Sequence, residues 1–119
     1  MKVYMPGREW PEHYRAVLEE LAKITDPVTG GDIVDSGVVA GLEVSGDTLK
    51  VWLNFESHAE YNITGASAIA YSKIIGDIIE RFALVRFQNV YVYDLKNNPV
   101  GVFENRKGYR PEDISHGRV

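Results

Sequence analysis

Cysteine is absent from all 119 residues. Disulfides, thiolate nucleophiles, cysteine-ligated zinc and an iron–sulfur cluster held by the chain's own thiolates are therefore excluded. Basic residues are also in deficit: 13 Lys and Arg stand against 17 Asp and Glu, for a formal charge of −4. That balance leaves no broad cationic face for a phosphate backbone, so nucleic acid is not an expected partner. No apolar run reaches the roughly 20 residues needed to span a bilayer, and Met1-Lys2-Val3-Tyr4-Met5-Pro6-Gly7 lacks the apolar core of a signal peptide. The expectation is a cytoplasmic protein with no membrane partner. On the same ground the sequon Asn62-Ile63-Thr64 is not read as a glycosylation site.

What remains is an ordinary globular composition, 45% apolar and 25% charged. A chain of this length buries roughly two-thirds of its unfolded surface without covalent or metal support. One domain is expected over residues 10–103, preceded by an arm at 1–9 and followed by a polar tail at 104–119.

Within that domain the apolar spacing changes period several times. Tyr14, Val17, Leu18, Leu21 and Ile24 recur at three and four, after Trp10-Pro11-Glu12, and predict a helix of about four turns ending at Asp26-Pro27. Val38, Val39, Leu42 and Val44, then Leu49, Val51, Leu53 and Phe55, flank Ser45-Gly46-Asp47-Thr48 and read as a β-hairpin, with Trp52 the apolar exception on its outer face. Tyr71, Ile74, Ile75, Ile78, Ile79 and Phe82 form the stripe of a long helix over 65–82, and Gly76 within it suggests close backbone packing on the sheet. Val85 to Leu95 reads as a strand with a slip near Gln88-Asn89, suggesting a bulge, and Val100–Phe103 as a short edge strand. The order α-β-β-α-β-β predicts an α+β two-layer sandwich: a small mixed sheet with two helices on one face.

The stretch from Ile24 to Val39 organises these elements. It holds Asp26, Asp32, Asp35 and three glycines between the first helix and the first strand of the hairpin. Asp26-Pro27, then Asp32-Ile33-Val34-Asp35-Ser36-Gly37-Val38-Val39, then a hairpin and a polar loop before a long helix, resembles the metal–sulfur (iron–sulfur) cluster assembly domain of the PaaD and SufT proteins. The likeness covers roughly residues 12–95. Members of that family are accessory factors that help mature or deliver metal centres in client proteins, an oxygenase among them. The family's Cys-Pro pair falls where this chain has Glu60-Tyr61, and its usual Glu after Asp-Pro is Val28 here. The resemblance thus implies a cysteine-less variant that acts by protein–protein contact, not as an enzyme and with no cofactor of its own. Its partner would be a metalloenzyme client or a cluster-assembly factor. The implied contact surface is Asp26, Asp32, Asp35, Glu56, His58, Glu60 and Tyr61.

The same residues admit other readings. Asp35, His58 and Glu60 are candidates for a metal site, since carboxylates with one imidazole suit a hard or borderline divalent cation. A small metal-dependent enzyme would follow from that grouping. The plainer account takes Asp26, Asp32 and Asp35 as turn and capping acceptors, and His58 as solvated. Ser57 beside His58 has no implied geometry for nucleophilic catalysis, and His13 and His116 have no evident partner in sequence. Tyr91 and Tyr93 share a strand face with Trp52 close by, which could form an aromatic patch. A further reading is a structural subunit, a homodimer formed through Trp52 or the Val100–Phe103 edge. The tail, with Arg106, Lys107 and Arg110 around Tyr109, reads as a solvated terminus or a segment that docks on an acidic client.

Overall fold

The computed structural model describes residues 2–3, 10–27, 30–54 and 65–105, with 2–3 and 65–70 described by backbone alone. The elements are β1 (Lys2–Val3), α1 (Glu12–Leu21), β2 (Val39–Ser45), β3 (Thr48–Leu53), α2 (Gly65–Phe82), β4 (Asn89–Tyr93) and β5 (Pro99–Glu104). The strands form one mixed sheet in the order β1-β2-β3-β4-β5, parallel between β3 and β4 and antiparallel elsewhere. This is the expected α+β arrangement, with one addition: Lys2 and Val3, within the presumed arm, pair with Leu42 and Gly41.

Alternation along the strands sorts the sheet into a covered and an open face. Leu42, Leu49, Val51, Leu53, Val90 and Val92 are buried and share one core with Tyr14, Val17 and Leu21 of α1 and Ile74, Ile78 and Phe82 of α2. Both helices therefore cover the same face. Burying each large aliphatic side chain contributes about 1.5–3 kcal/mol against the entropy of ordering it, so this cluster supplies the main drive to fold. On the open face Lys50 lies 3.8 Å from Glu43, and Trp52 and Tyr93 stack.

Helix α1 stops at Leu21, five residues before Asp26. Ile24 remains buried, but its carbonyl accepts the Ile33 N–H at 3.1 Å and Thr25 bridges to Asp32. The backbone of Ile24 and Thr25 thus belongs to the following loop, where Thr25 is β-branched and Pro27 disfavours helix at Asp26. Helix α2 matches the expected span, and because it joins parallel neighbours it acts as a crossover.

Two expectations are corrected. Gly76 is exposed, and a Cβ there would meet nothing within 4 Å, because the residue sits on the solvent side of α2. The close approach occurs at Gly101 of β5. The slip at Gln88-Asn89 is also not a bulge: β4 begins only at Asn89, and residues 83–88 form a turn in which Leu84 takes φ +61° and donates its N–H to the Phe87 carbonyl at 2.8 Å. Phe87 is buried by that turn while Val85 faces solvent at 67% exposure, which is why apolar spacing alone extended the strand too far.

Candidate functional site

The loop between α1 and β2 builds its own small framework. Residues 24–26 run antiparallel to 31–33: Asp26 N–H donates to the Gly31 carbonyl at 2.7 Å, and Gly30 N–H donates to the Asp26 carbonyl at 2.8 Å. Gly30 closes the turn at φ +79°, a conformation that a Cβ would strain. The chain then winds through a second turn. Asp32 Oδ1 accepts the N–H groups of both Val34 and Asp35 at 2.8 Å, while its carbonyl accepts the Ser36 N–H at 3.0 Å. Ile33, Val34 and Val38 plug the loop into the core.

The three acids that the sequence grouped here occupy three different environments. Asp32 is half-buried and serves the turn, as a capping acceptor should. Asp35 is exposed. Asp26 has no exposed surface and is the one buried charged side chain among the described residues. Although the sequence reading placed Asp26 in the contact surface, it shapes the loop from within. No three His, Asp or Glu side chains among the described residues come together in a way that could hold a metal ion. Glu56, His58, Glu60 and Tyr61 lie outside the described residues, as do Ser57, His116 and the tail from 106.

The start of the second polar segment is fixed nevertheless. Asn54 N–H donates to the Val38 carbonyl at 2.7 Å, directly after the Val39–Leu53 pair of the hairpin. The chain therefore leaves β3 beside the point where the Asp26–Gly37 loop enters β2. A neighbouring turn at the same end of the sheet joins β4 to β5. In it Asp94 Oδ1 accepts the N–H groups of Lys96 and Asn98 at 2.8 and 2.9 Å, and these bonds hold its carboxyl below the ordinary value. Asn97, at φ +63°, accepts the Trp52 indole N–H at 2.7 Å. Trp52 stacks on Tyr93 with ring centres 5.2 Å apart, and Tyr93 on Tyr91 at 6.4 Å, so the aromatic group read from the sequence is assembled on the open face.

A cleft of about 640 Å³, with no counterpart in the sequence reading, lies between the end of α1 and α2. Glu20 dominates it, bonded to Lys23 at 2.9 Å and to Arg81 at 3.1 Å, and these two cations hold its carboxyl below the ordinary value. On the opposite wall Lys73 lies 3.5 Å from Asp77. Spacings of three and four make the pairs Glu20–Lys23 and Lys73–Asp77 readable in advance. The Glu20–Arg81 contact joins the two helices across the cleft and has no signal in sequence.

Compared with known proteins, the chain matches no curated protein and no solved structure. Residues 14–75, just over half its length, match the profile of a family described as iron–sulfur cluster assembly protein. The match runs from α1 through the Asp26–Gly37 loop and the hairpin into the middle of α2, and so contains the whole of the framework described above. The chain belongs to the iron–sulfur cluster assembly protein family.

Proposed function

We propose that this protein is a non-catalytic accessory factor that assists assembly of a metal centre in a client protein by binding the client or its assembly machinery. The observation that supports this reading is the Asn54–Val38 hydrogen bond of 2.7 Å, which holds Asn54, two residues ahead of Glu56 in sequence, beside the family's own loop. Together with Asp35 on that loop, Glu56, His58, Glu60 and Tyr61 form the proposed contact surface. Asp26 and Asp32 keep the loop in shape behind it.

A cluster is cargo in this scheme, and the chain has no thiolate with which to ligate it. Its contribution is therefore recognition. Carboxylates around one aromatic and one imidazole suit a basic client surface, where charge complementarity raises the encounter rate and fixes orientation. The client is a metalloprotein or an assembly factor, and an oxygenase is the instance that the sequence resemblance suggests.

The test is an affinity capture of the tagged full chain from its native cells without oxygen, with mass spectrometry of the bound proteins and metal analysis of the eluate. Recovery of a metalloenzyme or assembly factor, reduced in a D35A/H58A/E60A variant, is the expected result. Recovery of the chain alone, or capture unaffected by the triple substitution, would reject this surface. Stoichiometric metal on the chain alone would favour the metal-site reading instead.

A further inference from the structure

The two margins of the sheet are finished differently. Beyond β2 the two residues of β1 occupy part of the edge, and the Tyr14 hydroxyl accepts the Val44 N–H at 3.2 Å. Beyond β5, six residues long, no strand pairs among the described residues. Such an edge presents N–H and C=O groups that another strand satisfies best, and soluble proteins commonly interrupt it with charge. Pro99 to Phe103 carry no charged side chain. Of the four large apolar side chains most exposed among the described residues, three belong to β5 or the turn before it: Leu95, Val100 and Val102, at 41, 38 and 49%. The edge is also held in place from behind, because Ile75 and Ile79 of α2 close over Gly101.

We propose that β5 pairs antiparallel with β5 of a second copy of this chain, about a two-fold axis through Gly101. The strand is complementary to itself in that register. Val100 faces Val102 of the second copy and Val102 faces its Val100, so exposed apolar side chains meet, while Phe103 faces Pro99. The antiparallel sense also carries Lys96, ahead of the strand, towards the end where the second copy's Glu104 lies, so opposite charges approach at both borders. Moving the axis to Phe103 would instead set Val102 against Glu104. Pro99 and the register shift between Val92 and Tyr93, repeated by the two-fold axis, limit the pair at both ends. The contact therefore falls in the small class below about 1,200 Å² in total, and association is micromolar or weaker. This pairing uses none of the residues assigned to client binding and stands apart from that reading.

The test is sedimentation of the full chain from about 1 to about 500 μM, a range that brackets such affinities. The expected result is a mass rising from monomer towards dimer, with V102K staying monomeric while its circular dichroism and melting are unchanged. Because the chain has no cysteine, V100C and V102C are clean probes of register. Oxidation of their 1:1 mixture is expected to give a disulfide-linked dimer of the two. V102C alone is expected to give none, since the axis sets its two thiols on a diagonal of about 7–8 Å, outside disulfide reach. A wild-type monomer throughout the range, or a V102K dimer as strong as wild type, would overturn the pairing and leave the edge for a strand of another protein. Cross-linking of V102C alone would overturn the axis.

Discussion

A Cβ added to Gly101 would lie 2.5 Å from Ile75 Cγ2 and 3.2 Å from Ile79 Cδ1. The absence of a side chain on β5 is therefore what lets α2 seat against this end of the sheet. G101A is expected to cost about 1–3 kcal/mol through overpacking, measured by denaturant unfolding. G76A should move the other way, by about 0.5–1 kcal/mol, because that glycine is exposed within a helix and its Cβ meets nothing. Equal effects at the two positions would contradict this packing.

Asp32 and Asp35 are expected to separate stability from recognition. D32A removes the acceptor of two turn N–H groups and should cost about 1 kcal/mol. D35A alters an exposed side chain and should leave unfolding within about 0.5 kcal/mol of wild type, while client capture falls. Thermal melts and the capture experiment, run on both variants, check the division.

Acid should loosen the joint between the helices and the β4–β5 turn together. The carboxyls of Glu20 and Asp94 are both held below their ordinary values, by Lys23 and Arg81 in the first case and by the Asn98 and Lys96 amides in the second. Depressed carboxyls bind fewer protons folded than unfolded, so their contribution is complete above the ordinary carboxylate range and is lost as pH falls through the lower folded values. The melting temperature is expected to decline below about pH 4, and less steeply in E20Q/D94N, followed by circular dichroism in low salt. An identical acid slope in the double variant would refute the assignment.

Trp52 provides an optical report on the same end of the sheet. W52F retains a ring for Tyr93 but loses the indole N–H bond to Asn97, and should cost about 1 kcal/mol. N97G, which removes the acceptor and accepts the φ +63° backbone without strain, is expected to reproduce that cost and to shift Trp52 fluorescence. An unchanged melting temperature in both variants would show that the bond contributes nothing.

Periodicity exposed the helices and the hairpin because one buried face imposes a period of 3.6 or 2 along the chain, as in Ile74, Ile78 and Phe82 or in Leu49, Val51 and Leu53. Where the backbone of an apolar residue serves a loop, the pattern misleads. Ile24 keeps the helical spacing and its burial, yet its carbonyl belongs to the turn with Ile33. Val85 is apolar and fully on the strand pattern, yet it sits on a turn that faces water. The family block was legible as a string of residues, whereas the burial of Asp26 was not, since Asp26, Asp32 and Asp35 look alike until the chain has folded around one of them. Gly76 and Gly101 show the same limit: a glycine reveals where a side chain is missing, not what comes close.

The family match ends at residue 75, in the middle of α2, while the parallel partner of β3 is β4. Thr48 meets Asn89 only after the whole crossover has been made, so the segment most characteristic of the family cannot close its sheet when it leaves the ribosome. Its centre waits for residues beyond the match. Such distant pairing slows folding, because the loop entropy must be surrendered before the contacts return it. During synthesis the newly made hairpin would keep the edge of β3 unpaired until β4 arrives, and Leu49, Val51 and Leu53 only partly covered until α2 packs over them. That interval is when a nascent chain of this design has most need of a chaperone.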